Sequence, residues 1–579
     1  MATQNNNKTL LFLCQALVCC IVGHVIVVAP GAAATGKAET TPPAPAAKHA
    51  AKPAKPAARI LSGITERQNI HARLRHYDNL VGDFNRPRWH LASPDWNWWD
   101  MNGGFEIDGR YHISFLRSGY NADASPDGNP NAGKRWTWGH ATSRDLFHWR
   151  FRPDIFSVVD AEKTPNFYSG HSVYDAPVPT LIFYVRERGV FVAQARDRTL
   201  EEWTFLNDGN PVIPGGPTAK GDMDGRMPGV EFWVFDPFAW FDSTRGVYFG
   251  LIGNHNNREG YSASPSLFTS KDLITWEYIG PVLKDQPEWL TPKEDTACVD
   301  FFPLGESGKW VMLCHVHYPY FHTRAMVGVW DGREFTPERI TRMGGIHSNL
   351  FAPETFRDST KKRRIYFGTT DMRGKGWETA ATQPLELKLS PGGELEFHPV
   401  EELESLCYNK KSFGSFALDN DEKPLENTGS LSMLLKATIA VGSAQRAGFK
   451  MVCAPDGSEY AIFEYLPGEK VFRIDFSKSF AGKDMRVEKF NYHRALKDGF
   501  TEITGTQDIP FFLKDGEKLH VQIFRDGALF EVIVNNRAFT VQPIYNSSKN
   551  SVQIRAFSEG GRAEFESVET ADIDASMSL

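Results

Sequence analysis

The strongest constraint on the fold is a short phrase that recurs. Ser143-Arg144-Asp145-Leu146-Phe147-His148-Trp149 returns as Ser270-Lys271-Asp272-Leu273-Ile274-Thr275-Trp276, and a looser copy runs from Asp197 to Trp203. Each copy closes a group of short apolar runs and is followed by a turn. Runs such as Tyr111-His112-Ile113-Ser114-Phe115 and Trp310-Val311-Met312-Leu313 are bounded by Asp-Gly, Gly-Lys or Asn-rich turns, the punctuation of β-strands. Four-stranded units repeated at this spacing are the signature of a β-propeller, in which each blade buries its faces against its neighbours. A sandwich yields similar short strands, but not this recurring Asp-Leu…Trp ending. No stretch keeps a 3.6-residue apolar period long enough for a substantial helix; Val400 to Leu406 comes nearest.

At 579 residues the chain is too long for one ordinary core. The propeller is expected over 64–400 and a second module over 401–575. In that module Leu519-His520-Val521-Gln522-Ile523 alternates strictly, Asp526-Gly527 turns, and Phe530-Glu531-Val532-Ile533-Val534 returns. This is hairpin chemistry with one face buried, and several such hairpins imply a β-sandwich. The fold class is therefore all-β. Ahead of it, Lys8 precedes an apolar run from Leu10 to Ala29, followed by Ala32-Ala33-Ala34, which reads as a secretory signal over 1–34. An uncleaved signal anchor is the alternative, weakened by Gln15 and His24 within the run. Residues 35–63 are rich in Ala, Pro and Lys and form a semi-extended linker. The expected location is secreted or periplasmic, with membrane contact only if the signal stays uncleaved.

The balance of 64 basic and 71 acidic residues, with no basic patch in the folded part, argues against a nucleic-acid partner. Three of the seven cysteines lie in the signal region; Cys298, Cys314, Cys407 and Cys453 are too few for a disulfide scaffold. A Cys298–Cys314 bridge competes with buried free thiols, and the thiols are the expectation. His315, His317 and His322 invite a metal reading. Without a carboxylate or cysteine pattern of known spacing, ordinary strand histidines are the better account, so no metal or cofactor is expected.

Asp100 and Asp236 lie in two Asp-centred motifs, Trp98-Trp99-Asp100-Met101-Asn102-Gly103 and Trp233-Val234-Phe235-Asp236-Pro237-Phe238. Paired carboxylates on a rigid scaffold are the usual means of splitting a glycosidic bond. These stretches, with Tyr111-His112-Ile113-Ser114-Phe115-Leu116 and Trp138-Gly139-His140-Ala141-Thr142-Ser143-Arg144-Asp145-Leu146-Phe147-His148-Trp149, resemble the opening motifs of glycoside hydrolase family 32, the invertase, levanase and inulinase group. Tyr168-Ser169-Gly170-His171, Phe235-Asp236-Pro237, Ala297-Cys298-Val299-Asp300-Phe301-Phe302-Pro303-Leu304 and Phe351-Ala352-Pro353-Glu354-Thr355-Phe356 resemble its later motifs in the same order. The resemblance implies a five-bladed propeller with a central funnel, followed by a β-sandwich. It also implies retaining hydrolysis, with Asp100 as nucleophile and Asp236 holding sugar hydroxyls and stabilising the transition state.

Four positions depart from the family pattern. Trp99 stands for its Asn, Leu116 for its Gln, Phe235 for its Arg, and Ala297 for the Glu that serves as acid. A pocket built to hydrogen-bond fructose loses affinity steeply without those groups. The expected substrate is therefore a furanoside other than plain sucrose, inulin or levan. Two carboxylates could supply the missing proton: Asp295, two residues before Ala297 on the same strand side, and Glu354, where the family usually has Gln. Both stay open here. Trp99, Trp138 and Tyr168 are candidates for a stacking platform, Ser169, His171 and Phe235 for substrate contact. Asp300 is read as structural, since alternation turns it away from Ala297. The resemblance makes the partner an oligo- or polysaccharide and leaves the oligomeric state unaddressed. The rival reading is a non-catalytic glycan-binding protein on a glycosidase scaffold.

Overall fold

The computed structural model describes residues 82–92, 98–119, 135–156, 166–185, 188–217, 223–227, 230–233, 235–254, 264–283, 295–317, 322–345, 348–372, 379–479 and 505–576, together with the backbone of 59–61. The signal expected at 1–34, and the linker up to residue 58, lie outside the described residues. Arg59–Leu61, assigned to the linker by composition, instead forms a strand antiparallel to Glu202–Phe205. The unpaired outer edge of a sheet is a ready template for such an addition.

Five antiparallel sheets form the propeller. Their first strands are Trp98–Ile107, Phe167–Ser172, Phe238–Asp242, Ala297–Pro303 and Leu350–Asp358, and each begins a sheet with a four-stranded core, interrupted along the chain only in the fifth blade, by the short strand Thr379–Ala381. The first strand of each blade touches that of the next, and the fifth touches the first, so these five strands close a ring around one axis. The recurring phrase turns out to be the hinge between the third and fourth strands of a blade. In the first copy Asp145 Oδ1 accepts the backbone N–H groups of Phe147 and His148 at 3.1 and 2.8 Å. Leu146 takes a left-handed φ of 67°, and the Trp149 indole N–H donates to its carbonyl at 2.8 Å. Asp272, Leu273 and Trp276 repeat the arrangement, as do Asp197, Leu200 and Trp203. Each residue of the phrase thus acts locally. The carboxylate caps loose N–H groups, the leucine is buried at the turn, and the indole both packs against the turn and seals it.

The propeller gives way at Pro399 to a 3-10 turn, Glu401–Leu406, within the segment that came nearest to helical patterning. Beyond it, an eleven-stranded antiparallel sheet forms the C-terminal β-sandwich. Its hairpin Leu519–Asp526 and Leu529–Val534 has the register expected from the Asp526-Gly527 turn. Gly527 has φ +61°, and a Cβ there would lie 2.4 Å from the Asn85 carbonyl oxygen, so glycine is needed for both conformation and contact. The four described cysteines are free thiols, as expected.

This hairpin joins the two modules. Asp526 accepts the backbone N–H groups of Arg88, Trp89 and His90 at 2.7, 2.8 and 2.9 Å, and its Oδ2 lies 2.9 Å from His90 Nδ1. Glu531 takes the backbone and side-chain N–H groups of Gln383 in the fifth blade at 2.9 and 2.6 Å, and sits 3.4 Å from His90 Nε2. Burial opposes a charge on His90, but Glu531 and Asp526 together lift it to about 9. The stabilisation from that charge is complete below about 6.5, the unfolded value, and is lost as pH rises through about 9. Replacing Asp526 with Ala leaves the buried N–H groups of Trp89 and His90 and the partly buried one of Arg88 without their acceptor, and takes from the His90 imidazole one of its two carboxylates. We expect a loss of about 3–5 kcal/mol, read from urea denaturation at pH 6.5; a loss below ~1 kcal/mol would show that the clamp is not holding the modules.

Candidate active site

Exposure along the inner strands shows which end of the ring is open. Trp99, Asp100, Phe235 and Cys298 are partly exposed, whereas Asn102, His171, Phe238, Asp300 and Glu354, farther along the same strands, are buried. The funnel therefore opens at the N-terminal ends of the five inner strands.

Near that opening each inner strand holds one residue more than its partner. The register slips between Trp98 and Met101, Phe167 and Gly170, Ala297 and Asp300, and Phe351 and Glu354. In the third blade the Gly253 N–H donates to the Phe235 carbonyl at 2.8 Å while Phe238 pairs with Leu251, which gives the same excess. Asp236, Cys298 and Ala352 adopt φ of 41°, 46° and 44°, left-handed values rare outside glycine. Such bulges bend a strand and re-aim its side chains. They also overturn one expectation. Ala297 and Asp300 pair with His315 and Leu313, which are alternate residues, so the two share a face rather than opposing each other. Asp300 points inward, 3.0 Å from the Tyr174 hydroxyl that donates to it.

The bulges bring Asp100 and Asp236 into one electrostatic unit. Ser169 Oγ donates to Asp100 Oδ2 at 2.5 Å, and the Cys298 N–H donates to Asp236 Oδ2 at 3.1 Å. Burial pushes the Asp100 carboxyl up, against the Ser169 hydrogen bond and the charge of His317. Burial and then the charge of Asp100 push Asp236 up to about 7, against the Cys298 N–H and His317. Neighbouring carboxylates in a poorly hydrated site resist ionising together.

An aromatic chain surrounds this pair. From Tyr168 it passes to Tyr184, Phe235, His317, His315, Phe351 and Trp99, with successive ring centroids 5.2, 6.2, 5.7, 4.6, 6.0 and 5.9 Å apart. All five blades contribute. Trp99 and Phe235, two of the positions that depart from the family pattern, are walls of this collar.

The remaining candidates fall elsewhere than expected. Trp138 is fully buried against Phe156 and Phe183, and its indole N–H donates to the Tyr168 carbonyl at 2.9 Å. It is a brace between the first two blades, not part of a stacking platform. Leu116 is buried in the same seam. His171 does not line the funnel wall. Its ring packs edge-on to Phe238 and Tyr174, and its Nε2 meets Glu354 and, at 3.7 Å, Asp300. Burial disfavours its charge, but Glu354 and Asp300 lift it to about 10. Glu354 therefore belongs to a buried floor one step below Asp100, where burial pushes it well up against the pull of His171. Asp295 is wholly covered, and His317 engages both of its oxygens. The His317 N–H donates to Oδ1 at 2.6 Å, and His317 Nδ1 lies 2.8 Å from Oδ2. Asp295 thus cannot itself present a proton to a substrate. Sequence reasoning misses His317 because the residue invites only a metal reading. The pairing of Ala297 with His315, which sets His317 beside Asp295, is the signal that could have found it.

The description Glycosyl hydrolases family 32 N-terminal domain matches residues 90–399, and Glycosyl hydrolases family 32 C terminal matches 402–572. This chain belongs to glycoside hydrolase family 32. It is a glycosidase by that membership, on the five-bladed propeller and sandwich that the motifs implied. Levanase of Bacillus subtilis is 25% identical over 534 residues, covering 83% of this chain and 69% of that protein. The sucrose-6-phosphate hydrolase of Zymomonas mobilis is 23% identical, covering 83% and 91%. Fructan 1-exohydrolase IIa from Cichorium intybus, solved also with 1-kestose, shares the fold with a TM-score of 0.67, covering 85% of this chain and 98% of its own. Its identity is 16–18%.

The carboxylate pair makes a stability prediction. Asp236 titrates near 7 in the folded protein and near 4 in an unfolded chain. The folded state holds that proton more tightly, so it loses stability as pH rises from about 4 to about 7, and the full cost persists above. Asp236→Asn removes the cost. Calorimetry should show a thermal midpoint several degrees above wild type at pH 8, and a smaller gain at pH 5. An equal shift at both values, or a loss at pH 8, would contradict the placement.

Proposed function

We propose that the protein is a retaining glycosidase acting on a furanoside-type carbohydrate other than plain sucrose, inulin or levan. The observation that carries this reading is the pair Asp100 and Asp236, each set by a bulge near the mouth of the funnel and held by a hydrogen bond, from Ser169 to Asp100 and from the Cys298 N–H to Asp236. Asp100 attacks the anomeric carbon, and the Ser169 hydroxyl fixes its second oxygen so that the other meets the sugar. Asp236 accepts from sugar hydroxyls and offsets the positive charge of the oxocarbenium-like transition state. The aromatic collar lowers the polarity around the pair, which strengthens both effects. Trp99 and Phe235 offer a sugar ring apolar contact where family enzymes offer an amide and a guanidinium. The glycone therefore makes fewer hydrogen bonds there than plain fructose would. The apolar leader supports a secreted or periplasmic place of work.

A panel of methyl and 4-nitrophenyl furanosides and pyranosides tests this reading beside Asp100→Asn. We expect wild-type turnover of at least one furanoside and a loss of roughly 10³-fold or more in kcat/KM for Asp100→Asn. Saccharide binding by calorimetry with no product from wild type would favour the binding-protein reading, which the alanine at position 297 motivates. Undiminished activity in Asp100→Asn would remove the nucleophile assignment.

A further inference from the structure

We propose that His317 is the acid/base of this site, replacing the glutamate that Ala297 lacks, and that Asp295 is its positioning residue. The inference rests on the retaining-glycosidase reading above and names the group that completes it.

The placement comes from the fourth blade. Ala297 is buried and pairs with His315 across the first two strands. One step toward the opening, the chain on either side of that pair supplies Asp295 and His317. The two contacts with Asp295 fix both the backbone and the ring of His317, leaving little freedom of χ angle. The ring is set 5.7 Å from that of Phe235, the residue before Asp236, and edge-on to His315 at 4.6 Å. Its charge acts on both Asp100 and Asp236. His317 thus lies on the wall of the nucleophile's chamber, one step from the pair of Ala297 and His315. A carboxylate on Nδ1 orients an imidazole and compensates its positive charge, the role an aspartate plays in a catalytic triad.

Of the other acids near the mouth, Asp236 is held by the Cys298 N–H beside Asp100 and is the rival that the test below includes; the rest serve less well. Glu354 lies one step deeper and is engaged by His171. Asp295 is wholly covered, and both of its oxygens meet His317. The Cys298 thiol is pushed well up by burial and by Asp236 and Asp100, and holds its proton too tightly to give it away.

With Nδ1 committed to Asp295, the proton that moves is the one on Nε2. In the first step an oxygen of Asp100 bonds to the anomeric carbon while the bond to the leaving oxygen breaks. The Nε2 proton passes to that oxygen, giving a free alcohol, a glycosyl ester on Asp100 and a neutral imidazole. In the second step water attacks the anomeric carbon and gives a proton to Nε2. The ester C–O bond breaks, restoring the Asp100 carboxylate and the imidazolium.

The test uses the methyl and 4-nitrophenyl glycosides of a furanoside that wild type hydrolyses, with His317→Gln, Asp295→Asn, Asp236→Asn and Asp100→Asn. Nitrophenolate leaves without a proton, so an acid variant should spare its departure. For His317→Gln we expect kcat/KM to fall about 10²–10⁴-fold on the methyl glycoside and less than about 10-fold on the nitrophenyl one. Azide needs no general base, so sodium azide should accelerate turnover of the nitrophenyl substrate and yield a glycosyl azide of retained configuration. Asp295→Asn should show the same selectivity to a smaller degree, in kcat more than in KM. Asp100→Asn should lose both substrates and gain nothing from azide. Equal loss on both substrates in His317→Gln, without azide rescue, would overturn the assignment while leaving Asp100 as nucleophile. The same selectivity appearing in Asp236→Asn instead would also overturn it. So would a wild-type protein that cleaves only nitrophenyl glycosides, the behaviour of a site with no proton donor. Full activity in Asp100→Asn, or no turnover of any furanoside by wild type, would remove the underlying reading and this proposal with it.

Discussion

Everything at this site depends on how five strands stand around one axis. Strands that close on a common centre cannot all point side chains inward, because there is no room. Each inner strand meets the constraint with an extra residue near its N-terminal end. The bulge turns one side chain toward the opening, and alternation resumes beyond it, in the first blade only after a second slip between Met101 and Gly104. In the first and third blades the residue turned is an aspartate. In the fourth and fifth it is Cys298 and Ala352, small enough to leave space in front of the carboxylates.

Below the mouth the same geometry packs Glu354, Asp300, His171 and Tyr174 into a buried polar floor. That floor is costly to assemble and tolerable only because its charges answer each other. Above it the carboxylate pair is compensated by a hydroxyl from Ser169, an N–H from Cys298 and the charge of His317. The contrast is physical: the floor is satisfied and the mouth is poised.

The sequence makes some of this legible and hides the rest for identifiable reasons. The blades can be read because the Asp-Leu…Trp turn is local, with every hydrogen bond made within a few residues. Asp100 and Asp236 stand out because their motifs keep their order along the chain. The direction of Asp300 cannot be read, since alternation fails wherever a bulge intervenes and no glycine marks the left-handed residue at Cys298. Trp138 misleads because its indole is satisfied by a carbonyl of the next blade, a contact no local pattern encodes. Asp295 is visible in the sequence as a carboxylate close to the missing acid. Its partner, His317, is 22 residues away and emerges only in the register of the two strands.

The mechanism we propose centres on a carboxylate that becomes covalently bonded to sugar. Rapid acid quenching during turnover of a 4-nitrophenyl furanoside, followed by digestion and mass spectrometry, measures that directly. The expected result is one glycosyl adduct, on the peptide carrying Asp100 and on that side chain. An adduct on another residue, or first-formed product of inverted configuration with no adduct, would contradict the mechanism.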